Sequence, residues 1–310
     1  MNFEHKAVLL DEAVKYLNIK ENGIYFDGTL GRGGHSSEIL KNLSGDGKLI
    51  AVDRDIKAVR EVEKQLASAE NLIIRHANFI DFDKVLKELS VEKVDGMLFD
   101  LGVSSPQIDN PDRGFSYQKD DPLDMRMNWE QNLTAADIVN NYSQEEIKDI
   151  ISDYGEENWA ARIAEFIVKE RQNKKIKTTS DLVDIIKAAI PKGARRSGGH
   201  PARRTFQALR IATNDELNQL KVLINKAVDY LNPGGRIVII SFHSLEDRIV
   251  KHSFRELARD CVCPPDFPIC VCDKKAELKV VTRSPVQASE KEIEENSRAR
   301  SAKLRAGEKI

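Results

Sequence analysis

The sequence has no long apolar run: its clean ones, of which Ile237–Ile240 is as long as any, are a fraction of the roughly 20 residues that a membrane-spanning helix needs. Met1 to Leu17 mixes His, Lys, Glu and Asp with its apolar residues, so the h-region of a secretion signal is missing as well. A cytoplasmic protein with no membrane partner is therefore expected. Neither sign of charge prevails. A net charge of −2 gives no global argument for nucleic acid, so any such argument must come from local clustering. Internal repeats are missing, and cysteine is confined to the stretch 261–272. What remains, 310 residues with 41% apolar and 32% charged, has the balance of a soluble globular chain, sized for a main domain and a smaller one.

Charge does cluster in one place. Between Ile185 and Asn214 stand Lys187, Lys192, Arg195, Arg196, Arg203, Arg204 and Arg210 with no acid among them, a local field that suits phosphate. A solvated loop face is the competing reading.

The first hundred residues alternate short β-branched runs with helical segments, as parallel strands joined by crossover helices do. Strands are predicted at Ile24 to Asp27, Lys48 to Val52, Leu72 to His76 and Val94 to Asp100, and helices at Ser36 to Leu43, Ile56 to Ala67 and Phe82 to Leu89. The next buried strand, Gly235 to Ser241, lies far beyond the dozen or so residues a crossover requires. An inserted helical domain explains the gap. Ser143-Gln-Glu-Glu146 resembles a capping box, and helices are predicted near Glu156 to Arg171 and Ser180 to Ile190, the latter stopped by Pro191. The expected organisation is a first part at 1–111, an insertion at 112–205 serving RNA recognition, and a second part at 206–310. In the second part a helix, Asp215 to Tyr230, leads to a turn at Asn232-Pro-Gly-Gly235, and Leu278 to Thr282 is a last strand. The tail from Pro285 is expected to be partly flexible, since its charges alternate without strong apolar periodicity.

Chemistry collects at the strand ends. After Asp27 comes Gly28-Thr-Leu-Gly31-Arg-Gly33-Gly34-His35, a glycine-rich turn that lets backbone approach a ligand closely. Read as G-x-G-x-x-G from Gly31, its third glycine position holds Ser36, which impairs a pyrophosphate reading. The order G-x-x-G-x-G-G resembles motif I of class I methyltransferases, although a purely structural turn is the plainer alternative. The next strand is followed by Asp53, whose carboxylate could accept both hydroxyl hydrogens of a ribose, against the alternative of a charged surface loop. The fourth strand closes on Asp100-Leu-Gly-Val-Ser104-Ser105-Pro106-Gln107, where open α/β sheets gather ligands. Oxygen acceptors near Ser105 and Pro106 could localise the lone pair of an exocyclic amine and present it in line to a methyl donor; a mere Ser-Pro turn competes.

Longer blocks sharpen the comparison. Asp27 through Ser36, Phe99 through Gln107, Arg113-Gly-Phe-Ser-Tyr117, Pro122-Leu-Asp-Met-Arg-Met127, Arg203 through Ile211, Ser241 through Arg248 and Asn296 through Arg305 closely resemble the RsmH (MraW) family over almost the whole chain. The resemblance implies an α/β, Rossmann-like class I methyltransferase with an inserted helical domain. It implies S-adenosylmethionine as donor and, as substrate, the N4 of a cytidine in the decoding region of 16S ribosomal RNA in the small subunit. Carried over by motif, the cofactor contacts are Gly33, Gly34, His35, Asp53, Phe79, Asp100 and Gln107; Ser105 and Pro106 are the catalytic candidates on the acceptor argument above. Arg195, Arg196, Arg203 and Arg204 are the candidate RNA contacts. General amino-methyltransferases continue the fourth motif with Pro-Pro-aromatic, whereas Gln107 stands here, so a stacking ring must come from elsewhere. Phe115, Tyr117 and Trp129 are the candidates, with the core as their competing place.

Cys261-Val-Cys263 and Cys270-Val-Cys272 leave zinc, reduced structural thiols and disulfides all open, because C-x-C is tighter than the usual zinc spacing, and no metal is assigned. His243, Ser244 and Asp247 invite a hydrolase reading, but a G-x-S-x-G elbow is missing. A nicotinamide-dependent dehydrogenase and a non-enzymatic ribosome-assembly factor are the readings from other classes. The oligomeric state is left open, a homo-oligomer included.

Overall fold

The computed structural model describes residues 7–103, 107–108, 110–196, 199–264, 267 and 269–310. After α1 (Leu10–Leu17), strands and helices alternate much as the apolar periodicity predicts: β1 (Ile24–Asp27), α2 (Gly34–Lys41), β2 (Lys48–Asp53), α3 (Ile56–Gln65), β3 (Leu72–His76), α4 (Phe82–Glu88) and β4 (Val94–Asp100). All four strands are parallel. β1 lies between β2 and β4, with Asp27 opposite both Ala51 and Leu98. The chain thus runs outward from β1 on one side and returns to its other side, which opens a crevice beyond the carboxyl ends of β1 and β4.

The chain divides into two compact units, one of residues 1–102 with 217–310 and one of residues 103–216. The second is helical: α5 (Ala135–Asn141), α6 (Gln144–Gly155), α7 (Ala160–Asn173), α8 (Thr179–Ala189) and α9 (Arg203–Asn214). Three of these helices start at a full capping box, Thr134 with Asp137, Ser143 with Glu146, and Thr178 with Asp181. Their apolar faces close on a core of its own, with Ile138, Ile147, Ile151, Ile163, Ile167, Leu182, Ile186 and Leu209 buried. This unit reaches past the expected 112–205 because α9 belongs to it: Gln207 donates to the Tyr154 carbonyl (3.1 Å) and Asn214 to the Met125 carbonyl (2.8 Å).

The first unit resumes with α10 (Glu216–Ala227), β5 (Leu231–Ser241), α11 (Ser244–Leu257), β6 (Leu278–Val280), α12 (Glu290–Glu295) and β7 (Lys303–Lys309). Among the described residues the sheet has seven strands in the order β3-β2-β1-β4-β5-β7-β6, with β7 antiparallel to both its neighbours. Alternation along the strands feeds two cores. Phe26, Met97, Phe99, Ile237 and Ile239 pack with Phe82, Leu223, Ile224 and Phe254, while Tyr25, Leu98, Val238 and Ile240 pack with Ala13, Leu17 and Ile39.

The tail corrects the sequence reading. Leu278 to Thr282 does not hold the last strand, for the tail supplies β7, whose Leu304 and Ala306 are buried in the second of those cores and which pairs with β5 from Arg236↔Glu308 to Ser241↔Lys303. Burial on both faces, and not periodicity, orders this strand. The Asn232 to Gly235 stretch, expected as a turn, starts β5 instead, with a register irregularity opposite Val94 and Gly96. Among the described residues no helix is long and apolar enough to cross a membrane.

Candidate active site

Asp27 fastens the glycine-rich turn at both ends. Its buried carboxylate accepts the Thr29 N–H (3.0 Å) and the Ser36 hydroxyl (2.6 Å), and burial pushes its pKa up against those two bonds. Two glycines are dictated by space and angle. A Cβ on Gly28 would lie 2.2 Å from the Phe99 ring, and Gly33, which caps α2, holds a φ of 77°. Asp53 ties the next strand to the same turn, accepting the Gly31 N–H (2.8 Å) on one oxygen and the Asp55 N–H (2.8 Å) on the other. Each oxygen keeps acceptor capacity for a further donor. Burial raises the Asp53 pKa, and the two N–H groups oppose the rise. Phe79, buried at the start of the turn that follows β3, meets Phe99 edge-on at 6.2 Å and has the Arg54 guanidinium 5.9 Å from its ring centre.

At the end of β4 the Asp100 N–H donates to the Thr29 hydroxyl (2.6 Å), so β4 is also fixed to the turn. His35 is buried with Nε2 3.1 Å from the Val8 carbonyl. That oxygen can only accept, so Nε2 carries the hydrogen and Nδ1 faces Asp100 Oδ2 at 3.8 Å. Burial raises the Asp100 pKa from 3.8 to about 6; the His35 charge opposes the rise, and Asp27 and Glu246 add to it. Asp100 Oδ1 is buried and has no hydrogen-bond partner among the described residues.

The structure therefore brings Gly33, Gly34, His35, Asp53, Phe79 and Asp100 to one end of the sheet in the first unit. Gln107 is buried in the second unit. Ser105 and Pro106 lie outside the described residues. Sequence reasoning missed Asp27 and Glu246 as site residues. Asp27 ends a buried strand, the signal that had already singled out Asp53 and Asp100, whereas Glu246 lies in the first turn of α11, where no such signal marks it. Glu246 accepts the Phe242 N–H (2.8 Å) and so shapes the loop after β5. The hydrolase reading fails on Asp247, which is bound instead by Arg305 Nε (2.6 Å) and lies 3.4 Å from Lys303 Nζ.

In the second unit the basic segment does not act as one. Arg210 makes a bidentate pair with buried Glu216 (2.9 and 2.8 Å) and is committed to structure. Arg195, Arg203 and Arg204 line a cavity of about 480 Å³ with Trp159, His200 and Glu157, and Arg204 donates to the Glu156 carbonyl (3.1 Å). Arg196 ends the short turn Ala194–Arg196. Tyr117 stacks on His200 at 4.6 Å and Phe115 packs on the helical core, so these two rings have core duties. Trp129 lies under the Arg113 guanidinium at 4.5 Å, which itself donates to the carbonyls of Arg126 and Met127.

The acids gathered at the carboxyl ends of the strands, Asp27, Asp53 and Asp100, whose Oδ1 has no partner among the described residues, suit a ligand bearing a sulfonium and an ammonium group. With this strand order, the chain is a class I S-adenosylmethionine-dependent methyltransferase, Rossmann-like with an inserted helical unit. It belongs to the MraW methylase family, whose profile matches residues 2–310. The ribosomal RNA small subunit methyltransferase H of Halothermothrix orenii is 62% identical over 307 residues, 99% of each chain. The protein of the same name from Clostridioides difficile is 54% identical over 311 residues, the whole of both chains. An rRNA methylase structure from Streptococcus thermophilus aligns over 97% of this chain and 93% of its own, at 12% identity and a TM-score of 0.42.

Proposed function

We propose that this methyltransferase acts on ribosomal RNA of the small subunit and transfers the methyl group of S-adenosylmethionine to the exocyclic N4 of a cytidine in the 16S decoding region. The observation that carries the reading is full-length identity of 62% to a relative named for small-subunit rRNA methylation. The finer assignment to cytidine N4 in the decoding region rests on the resemblance of the sequence blocks, Asp100 to Gln107 among them, to the RsmH (MraW) family.

When bound, the cofactor supplies an electrophilic methyl on a positively charged sulfur. The chain's own residues hold and orient. Asp53, already fixed by two backbone N–H groups, has acceptor capacity for both ribose hydroxyls. Asp100 Oδ1 offers a buried acceptor for the ammonium end, with Gly33, Gly34 and His35 beside the methionine portion. Phe79 gives the adenine an apolar face, and Gln107 is a cofactor contact on the family resemblance alone. The N4 of cytosine is a poor nucleophile because its lone pair is delocalised into the ring, so acceptors at Ser105 and Pro106 hold its hydrogens and favour a pyramidal nitrogen. Arg195, Arg196, Arg203 and Arg204 contact the RNA backbone, and the inserted unit serves as its recognition domain.

Incubation with labelled S-adenosylmethionine and small subunits, followed by mapping of the modified base, tests the proposal. One labelled cytidine carrying the methyl on N4 is expected. Label on a ring carbon, on a ribose or on another base would overturn it.

A further inference from the structure

The four cysteines lie on the segment between α11 and β6, and no step proposed above uses them. Their sulfurs converge: Cys261 to Cys270 is 3.5 Å, Cys270 to Cys272 3.6 Å, Cys261 to Cys272 3.8 Å and Cys263 to Cys270 3.9 Å, with all four within 4.8 Å of one another. A tetrahedral ion with zinc–sulfur bonds of about 2.3 Å requires sulfur–sulfur edges of about 3.8 Å. All four cysteines are free, and the spacings are nearly twice the roughly 2.05 Å of a disulfide.

The backbone supports the same reading. The Val262 N–H donates to Cys272 Sγ and the Val271 N–H to Cys263 Sγ, each at 3.3 Å, so the middle residue of each C-x-C arm donates to the far cysteine of the other. The Cys263 N–H adds a third bond, to Cys261 Sγ at 3.4 Å. Amide hydrogens aimed at sulfur suit thiolates, which accept far better than thiols. This local two-fold arrangement accommodates the tight C-x-C spacing: the two sulfurs of each arm form one edge, and the four spacings between the facing arms complete the tetrahedron.

Apolar burial does not hold this loop. Val262 and Phe267 are 50% exposed, Val271 71% and Ile269 75%, so these apolar side chains face solvent while the four sulfurs face one another, Cys270 itself being exposed. A segment turned inside out in this way needs a bond to close it, and a metal contributes that folding free energy directly.

We infer that Cys261, Cys263, Cys270 and Cys272 form a structural tetrathiolate site for zinc, one ion per chain, which pins the loop joining α11 to β6. The site is closed, with four protein ligands and no open position, so its role is conformational.

The full-length protein, purified under reducing conditions without chelator, is expected to carry about one zinc per chain by elemental analysis. Its four thiols should react with a disulfide reagent only after a chelator or mercurial removes the ion. Replacement by cobalt(II) should give the intense visible bands of a tetrahedral thiolate centre, and this readout on the unaltered chain stands even if Cys270→Ser fails to fold. Where Cys270→Ser folds, its retained zinc should fall at least tenfold. Four freely reactive thiols in metal-free protein from zinc-replete cells, octahedral cobalt spectra, or stoichiometric iron in place of zinc would overturn the assignment.

Discussion

Asp100 is pulled two ways. Burial among Asp27 and Glu246 favours its neutral form, with a pKa of about 6, while the proposed role needs a carboxylate facing an ammonium group. Affinity for S-adenosylmethionine is therefore expected to be level above about pH 7 and to fall roughly tenfold per pH unit below 6 as Asp100 takes up its proton. Calorimetry from pH 5 to 8 should show that bend, and Asp100→Asn should bind weakly without it. Without ligand the sign reverses. A folded-state pKa raised above the ordinary 3.8 means that stability declines as pH rises from about 4 to 6. Asp100→Asn should thus stabilise the unliganded protein at pH 7 by at most about 3 kcal/mol, readable by urea unfolding. A destabilised variant would show that the carboxylate has partners in the fold.

Asp53→Ala should weaken cofactor binding by about 1.5 to 3 kcal/mol, and unchanged affinity would remove the ribose assignment. Ser105→Ala and Pro106→Ala concern chemistry more than binding. If their turn supplies acceptors used most fully in the transition state, turnover falls and cofactor affinity stays. The proline variant, which loosens the aim of the turn, is expected to lose on the order of 10² to 10³ in single-turnover rate, the larger loss of the two. Near-normal rates in both would shift the acceptor role to Asp100 or to the inserted unit.

Among the elements, β7 illustrates what periodicity leaves out. β1 to β4 are legible because each carries β-branched or aromatic residues, and three of them, β1, β2 and β4, end on an acid, Asp27, Asp53 and Asp100. Lys303-Leu-Arg-Ala-Gly-Glu-Lys309 has no β-branched residue and intersperses charge with small side chains, which reads as loop. Its strand character comes from β5 on one side and β6 on the other, and from the pair of Arg305 with Asp247. Burial pushes the Asp247 carboxyl up, but the Arg305 hydrogen bond and the charges of Arg305 and Lys303 outweigh it and hold the group below the ordinary carboxylate range. Both side chains are largely enclosed, so Arg305→Ala should cost about 3 kcal/mol by leaving Asp247 buried without its partner, whereas Arg305→Leu with Asp247→Leu should recover most of that loss. Chemical denaturation of the two variants decides it; equal losses in both would mean that the ion pair itself is not what holds the strand. The cysteine arms are a second case: the spacing left three chemistries open, and only the facing of the two arms selects one.

At the scale of the whole molecule, a net charge of −2 is no obstacle to the proposed RNA substrate, because on that proposal the two units divide the work. The acids at the strand ends belong to the sheet unit, and the arginines around the 480 Å³ cavity belong to the helical one. Replacing Arg195, Arg196, Arg203 and Arg204 together by Ala should lower affinity for small subunits and flatten its salt dependence, with cofactor affinity nearly intact. An unaltered salt slope would return these residues to a solvated face. Arg210 does not belong in that set, since its loss would free buried Glu216 and report on folding.

The position of β7 also governs when the sheet can be completed. It lies between β5 and β6 yet is synthesised after both. While translation proceeds, β1 to β5 and the helical unit can form in order, but β5 keeps an open edge and β6 has no neighbour until residues 303–309 emerge. A nascent chain halted before that point exposes unpaired backbone and the apolar surface that Leu304 and Ala306 would cover. Such chains are natural substrates for chaperones and proteases, so the fold discriminates against unfinished copies of an enzyme that handles the translation machinery itself.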